Sequence, residues 1–314
     1  MAVFSSCRVF AEQTGRVLRI GYLGGTDPRT TPAPVKAFSD GLREQGYIEG
    51  RNILIDYRWA QGVTQLGEQA AELTRLPVDV IVAWGTPAVA AAKRATTTIP
   101  IVMVSIADPV ASGFVETLAR PHGNITGTST ISPDTMPKLV ELLTQAVPGI
   151  HRIAVLGNPD NPASALQFKQ IEAAARSRNL SLQSLEARAP ADFEGALASV
   201  RKEGVVGLVV LNDPLFVTHG QRIAGLAIKN LLPAAFGRRE QAASGGLLSY
   251  GQSLSAHFHQ AAVYAAKILG GTKVADLPVE QPTRFEMVIN LKTAKALGIK
   301  IPQALLLRAD EVIE

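Results

Sequence analysis

The sequence predicts an α/β protein of two Rossmann-like lobes, each built on a parallel sheet, facing each other across a cleft. Three observations predict it. Four strand-then-turn segments recur in the same order in both halves of the 314-residue chain, and internal repetition is the strongest architectural signal a sequence can carry. The strand segments are short Val- and Ile-rich runs bounded by Gly, Asn and Asp, as strands buried on both faces are. Between them lie helical patterns long enough for parallel crossovers.

In the first half the strands are read at residues 19–24, 78–85, 99–104 and 123–127, and in the second at 152–157, 205–212, 232–237 and 245–251. Residues 33–46 put Val35, Phe38 and Leu42 at helical spacing and stop at Gly46, a residue suited to a helix end. A short strand follows at 52–57, then helices at 63–76 (ended by Pro77) and 87–96. The second half repeats the plan with a helix at 162–179, a strand at 180–185, and helices at 191–203 and 215–230. The last third departs from it: a helix over 254–270, a proline-containing stretch, a strand over 285–290 and a short helix over 292–297. Such extra elements suit a chain that returns to the first lobe and comes back. Lobe 1 is therefore expected to comprise residues 17–128 plus about 252–283, and lobe 2 residues 129–251 plus about 284–314. The crossings fall near 128–133, 250–253 and 283–286; the alternative is a single linker near 130–150.

Composition removes several function classes. The net charge of +4 comes from scattered basic residues, so no clustered basic face for nucleic acid is legible. A single cysteine, Cys7, rules out a disulfide framework, a zinc cluster or a two-cysteine mechanism within one chain. His257 and His259 are two apart on a helix and point to different faces, so no metal pair is expected. Nor is a cofactor: there is no G-x-G-x-x-G, no Walker lysine motif and no G-x-S-x-G elbow. Residues 1–16 are read as a leader. Arg8 interrupts the apolar run and nothing basic precedes it, so the requirements of an export signal are poorly met. No segment reaches the ~18 apolar residues of a membrane span.

In open parallel sheets ligands bind at the carboxyl ends of the strands. Those ends read Gly25-Thr26-Asp27-Pro28, Gly85-Thr86-Pro87, Ala107-Asp108-Pro109, Asn158-Pro159-Asp160-Asn161-Pro162 and Asn212-Asp213-Pro214. Thr, Asp or Asn before proline marks a capped helix start. Either these residues only cap helices, or several helix N-termini converge on the cleft and favour a carboxylate there. Thr86 is the leading candidate to donate to a carboxylate oxygen, and Asp108 or Asp213 to receive an ammonium. Tyr22, Trp84, Phe236 and Tyr250 lie at or near strand ends and can bound an apolar side chain or pack in the cores. Arg238 or Arg239 can clamp an acid group, or sit on a solvated helix start.

Several segments together resemble a known family: RIGYL at 19–23, GLREQGY at 41–47 with EGRN at 49–52, IDYRWA at 55–60, VAWGTPA at 82–88, DPV at 108–110, LARPHGNITG at 118–127, GGLLSYG at 245–251, ADLPVEQPT at 275–283 and NLKTAKALG at 290–298. From about residue 17 to its end the chain resembles the substrate-binding proteins of ABC importers, in the family that includes the tryptophan-binding TrpX-like proteins. The resemblance implies a periplasmic-binding-protein type I fold with a three-strand hinge. It also implies a monomeric receptor that traps a small solute by hinge closure, an amino acid or related acid, and delivers it to a membrane permease. A periplasmic location follows, with no enzymatic activity. By the same resemblance the ligand touches Gly25, the Gly85-Thr86 turn, Asp108, Asn212-Asp213 and the Tyr250 segment; Thr26, Asn158 and Phe236, at other strand ends, complete the candidate ligand-binding set. The competing readings are an intracellular small-molecule sensor and a two-lobed cleft enzyme.

Overall fold

The computed structural model describes residues 17–25, 31–60, 63–130, 132–200, 204–281 and 283–314. The first sheet holds β1 (Leu18–Gly24), β2 (Ile53–Trp59), β3 (Val80–Trp84), β4 (Ile101–Ile106) and β5 (Ile125–Ser129). Their order is β2-β1-β3-β4-β5, all parallel. The helices α1 (Pro32–Glu44), α2 (Val63–Arg75) and α3 (Thr86–Ala95) make the crossovers. Every residue of β3 is buried, because helices cover both faces of the sheet.

The second sheet repeats that order with β6 (Arg152–Gly157), β7 (Ser181–Glu186), β8 (Leu208–Val210), β9 (Ala234–Phe236) and β10 (Leu248–Gly251), arranged β7-β6-β8-β9-β10. Its helices are α4 (Ser132–Ala146), α5 (Ala163–Arg176), α6 (Phe193–Ser199), α7 (Pro214–Thr218), α8 (Gly220–Lys229) and α9 (Arg239–Ala243). The single helix expected over 215–230 is two, because the chain turns at His219 before α8 begins. The helix expected over 191–203 spans α6 after a 3₁₀ turn at Pro190–Asp192; residues 201–203 lie outside the described ones. The fold is thus two α/β lobes of shared strand order.

After β10 the chain leaves the second sheet. Helix α10 (Leu254–Leu269) packs across α1 and the face of β3, β4 and β5. Its Phe258, Ala261, Ala262 and Ala265 are buried in one core with Ile20, Tyr22, Phe38, Leu42 and Val82. The chain then runs beside β5, where the Glu280 N–H donates to the Gly127 carbonyl and the Ser129 N–H to that of Glu280. It finally rejoins the second sheet as β11 (Glu286–Asn290), followed by α11 (Leu291–Ala296), α12 (Gln303–Leu306) and β12 (Glu311–Ile313). Here the all-parallel expectation is corrected: β11 runs antiparallel to β10, and β12 parallel to β11. The chain therefore passes between the sheets after β5, after β10 and before β11.

Candidate functional site

With the order 2-1-3-4-5 in each sheet, the strand order reverses between β1 and β3 and again between β6 and β8. Crevices form at the carboxyl ends of strands at such points. One pocket of about 390 Å³, part of it open to solvent, joins the two. The first lobe contributes Trp84, Gly85 and Thr86 from the β3–α3 turn and Ser105 and Ala107 from the end of β4. The second contributes Asn161, Asn212, Asp213, Pro214, Val217 and Arg238, and Thr130 and Leu254 lie on two of the crossings.

The β3–α3 turn is built by Gly85, whose φ of 84° favours glycine. Gly85, not Thr86, is the N-cap; Thr86 is the first helical residue, and no side-chain capping bond is made. The expected cap at Thr86 is thus corrected; the residue is largely buried and lines the pocket at the start of α3. A methyl group on Gly85 would lie 2.5 Å from Cγ of Pro214 in the other lobe. The two lobes touch here, proline ring against glycine.

Asp213 does cap α7, accepting from the Leu215 N–H at 2.7 Å. Its other oxygen accepts from Nδ2 of Asn161 at 2.7 Å and of Asn158 at 3.2 Å. Burial pushes its pKa above the ordinary value, opposed by the hydrogen bonds from Asn161, Leu215, Asn158 and Phe216. Asn212 is braced by a reciprocal pair with Gln167, at 2.8 and 3.0 Å.

Arg238 is the opposite charge. It is 5% exposed, its Nη1 donates to the Gln252 carbonyl at 2.7 Å and its Nη2 to the Ser105 hydroxyl at 2.6 Å. Its Nε has no partner. Both acceptors are neutral, and burial lowers its pKa to about 10. A buried cation with only neutral partners costs several kcal/mol relative to a paired one (~3–5 kcal/mol). Behind it, His257 is fully buried and meets the Gln252 side chain at 3.1 Å.

Of the residues expected at the site, Gly85, Thr86, Asn212 and Asp213 meet in the pocket. Gly25 lies beside Pro214, 3.7 Å from a methyl it would carry, and Asn158 stands behind Asp213. Thr26 lies outside the described residues. Three others do not line this pocket. Asp108 starts no helix; its carboxylate caps the Val110 and Ala111 N–H groups in a turn, at 3.1 and 2.9 Å, and it does not line the pocket although Ala107 does. Phe236 is fully buried in the lobe 2 core among Leu208, Val210 and Phe216, because alternation along β9 turns it inward. Tyr250 stacks on Phe285 at 5.4 Å and 8° and packs against the other lobe 2 core. Ser105, Asn161 and Thr130 were missed as lining residues. Nothing local marks them, except that Asn161 belongs to the Asn158–Pro162 turn.

A pocket at paired switch points, closed by two similar lobes and lined by buried charges, defines a two-lobed ligand-binding protein of the type I periplasmic-binding-protein fold. The chain belongs to the family of ABC transporter substrate-binding proteins, whose profile matches residues 30–313. It is 30% identical over 266 residues to the tyrosine-binding protein of Clostridioides difficile strain R20291, covering 84% of this chain and 76% of that one. Three solved structures match over 95% of this chain. A conserved domain protein of Vibrio cholerae O1 biovar El Tor superposes with TM-score 0.88 at 28% identity, over 100% of its length. A Streptococcus pneumoniae ABC domain in complex with L-Trp gives 0.86 at 24%, also over 100%. The ligand-free, open structure of CD0873 of Clostridium difficile gives 0.65 at 26%, over 99%. Among the described residues no helix is long and apolar enough to cross a membrane, and no His, Cys, Asp and Glu cluster fit for a metal ion is present.

Proposed function

We propose that the protein is the receptor of an ABC importer and takes a free α-amino acid between its lobes. The observation that carries this reading is the pair of buried, opposite charges in one pocket. Arg238 has only neutral partners, and Asp213 accepts only from amides. A zwitterion supplies both missing counter-charges. The carboxylate goes to Arg238, with Thr86 and the N–H groups at the start of α3 as further donors; the ammonium goes to Asp213. The tyrosine-binding relative favours an aromatic side chain, for which Trp84, Val217 and Leu254 are the apolar wall.

The interlobe contacts support a closed arrangement. At similar identity the structure superposes far better on the Vibrio protein than on the open one. Residues 17–128 with 252–283, and 129–251 with 284–314, are then the two moving bodies. The protein acts as a monomer outside the cytoplasmic membrane, binds without turnover and hands its solute to a permease.

Isothermal titration with L-tyrosine and L-tryptophan tests the reading. A charged hydrogen bond of ~1.5–3 kcal/mol corresponds to roughly 10- to 100-fold in Kd. The carboxamides should bind that much more weakly than the acids, and Arg238→Gln should remove most of the difference. Asp213→Asn should cost the amino acid the same factor while leaving the deaminated acid unaffected. Failure of both amino acids to bind, or an acid preference undiminished in Arg238→Gln, overturns it.

A further inference from the structure

β4 does not run evenly to its end. Its register against β5 shifts between Met103 and Ile106. Inside that break Ser105 has φ of 60°, the left-handed region that non-glycine residues seldom occupy. The distortion is braced: the Ser105 N–H donates at 3.0 Å to Oγ1 of Thr128, a fully buried residue of β5. Irregularities of this kind beside a site re-aim a side chain, and an observed backbone outlier points to function rather than the reverse. Here the re-aimed atom is the Ser105 hydroxyl, which accepts from Nη2 of Arg238 at 2.6 Å.

We propose that Ser105 is a positioning residue for Arg238 and that the break in β4 exists to present it. The inference deepens the reading of Arg238 as the carboxylate site and rests on it. A guanidinium has five N–H donors in a rigid plane. The Gln252 carbonyl, on the β10–α10 crossing, fixes one Nη and Ser105 fixes the other. Two anchors set the plane and leave one hydrogen on each Nη for an incoming carboxylate, Nε–H being buried without a partner. Because Ser105 belongs to the first lobe and Arg238 to the second, the second anchor forms only when the lobes meet. The arginine thus reaches its binding orientation on closure, so carboxylate recognition and closure reinforce each other.

Ser105→Gly separates this role from a structural one. Glycine occupies the left-handed region freely, so the variant should melt no lower than the wild type while lacking the hydroxyl. Its Kd for L-tyrosine should rise roughly 10-fold, the loss of one hydrogen bond to a charged group, and its Kd for L-tyrosinamide little. In a double-mutant cycle with Arg238→Gln the serine change should add nothing, because its effect passes through the arginine. Wild-type affinity in Ser105→Gly, equal loss for acid and amide, or full additivity overturns the proposal. If the wild type itself does not prefer L-tyrosine to its amide, the carboxylate reading of Arg238 falls instead. Ser105 is then decided in the closed protein saturated with L-tyrosinamide, where the Nη hydrogens of Arg238 should give resolved NMR signals that average in Ser105→Gly; signals that stay resolved overturn its anchoring role.

Discussion

Arg238 is held from behind by an uncharged chain of contacts, and that chain depends on His257 staying neutral. His257 is fully buried, its Nε2 lies 3.1 Å from the amide oxygen of Gln252, and its Nδ1 has no partner. Burial, and then the charge of Arg238, depress its pKa from 6.5 to about 3. A base whose pKa is depressed in the folded state adds stability above its unfolded value, and that stability is lost as pH falls toward the folded value. Between pH 6.5 and 3 the protein should therefore lose up to about 1.4 kcal/mol per pH unit through this residue. Denaturant unfolding of the wild type and His257→Gln, from about pH 4 to 7, checks it. The stability difference between them should change in the variant's favour as pH falls, and a constant difference would contradict the assignment. None of this was legible in the sequence. Arg238 was visible as an arginine after a strand end, but whether it meets an acid or water depends on Gln252 and Ser105, which arrive from distant segments. The cap at Asp213 was legible because its turn chemistry is written in adjacent residues, whereas at α3 the glycine takes the cap and moves Thr86 into the helix.

Among the elements, α10 carries the most consequence, since it belongs to the first lobe although the chain reaches it from the second. Its Leu254, Phe258, Tyr264 and Leu269 are buried against β1, β3, α1 and their neighbours. Each such side chain is worth ~1.5–3 kcal/mol when buried, so four contribute ~6–12 kcal/mol, comparable to the whole stability of a domain, ~5–15 kcal/mol. A fragment of residues 17–130 should therefore fail to fold cooperatively and should bind a hydrophobic dye. The same fragment joined by a flexible linker to residues 252–281 should melt in one transition. Cooperative unfolding of the shorter piece would show that α10 is dispensable. The repeated strand order was legible because Val/Ile-rich strands and turn residues are local signals, and the need for a return crossing followed from the surplus elements. The direction of β11 was not, since nothing in a strand's own sequence sets it parallel or antiparallel; here the excursion through the first lobe does. β12 escaped notice because three half-buried residues make no pattern.

At the scale of the whole molecule, ligand affinity is set by how well the lobes fit when they meet. Gly85 and Pro214 are the tightest point of that fit, and a proline ring cannot rotate out of the way. Alanine at Gly85 would bring Cβ to 2.5 Å from the ring and would hold a φ of 84° against its preference, the latter alone worth ~1–2 kcal/mol. In Gly85→Ala the lobes should stand ajar with each binding surface intact. Small-angle scattering of the wild type should show a smaller radius of gyration with saturating L-tyrosine than without. Gly85→Ala should keep the ligand-free radius and bind more weakly by ~10-fold or more, since the closed state loses at least the ~1.4 kcal/mol that a factor of ten represents. A damaged α3 start would give the same weak binding, so the second change matters. Adding Pro214→Ala removes the ring carbon that obstructs the methyl, and should restore contraction if obstruction is the cause. Contraction of the single variant to the wild-type radius, or failure of the double variant to recover, would mean that this contact does not govern closure.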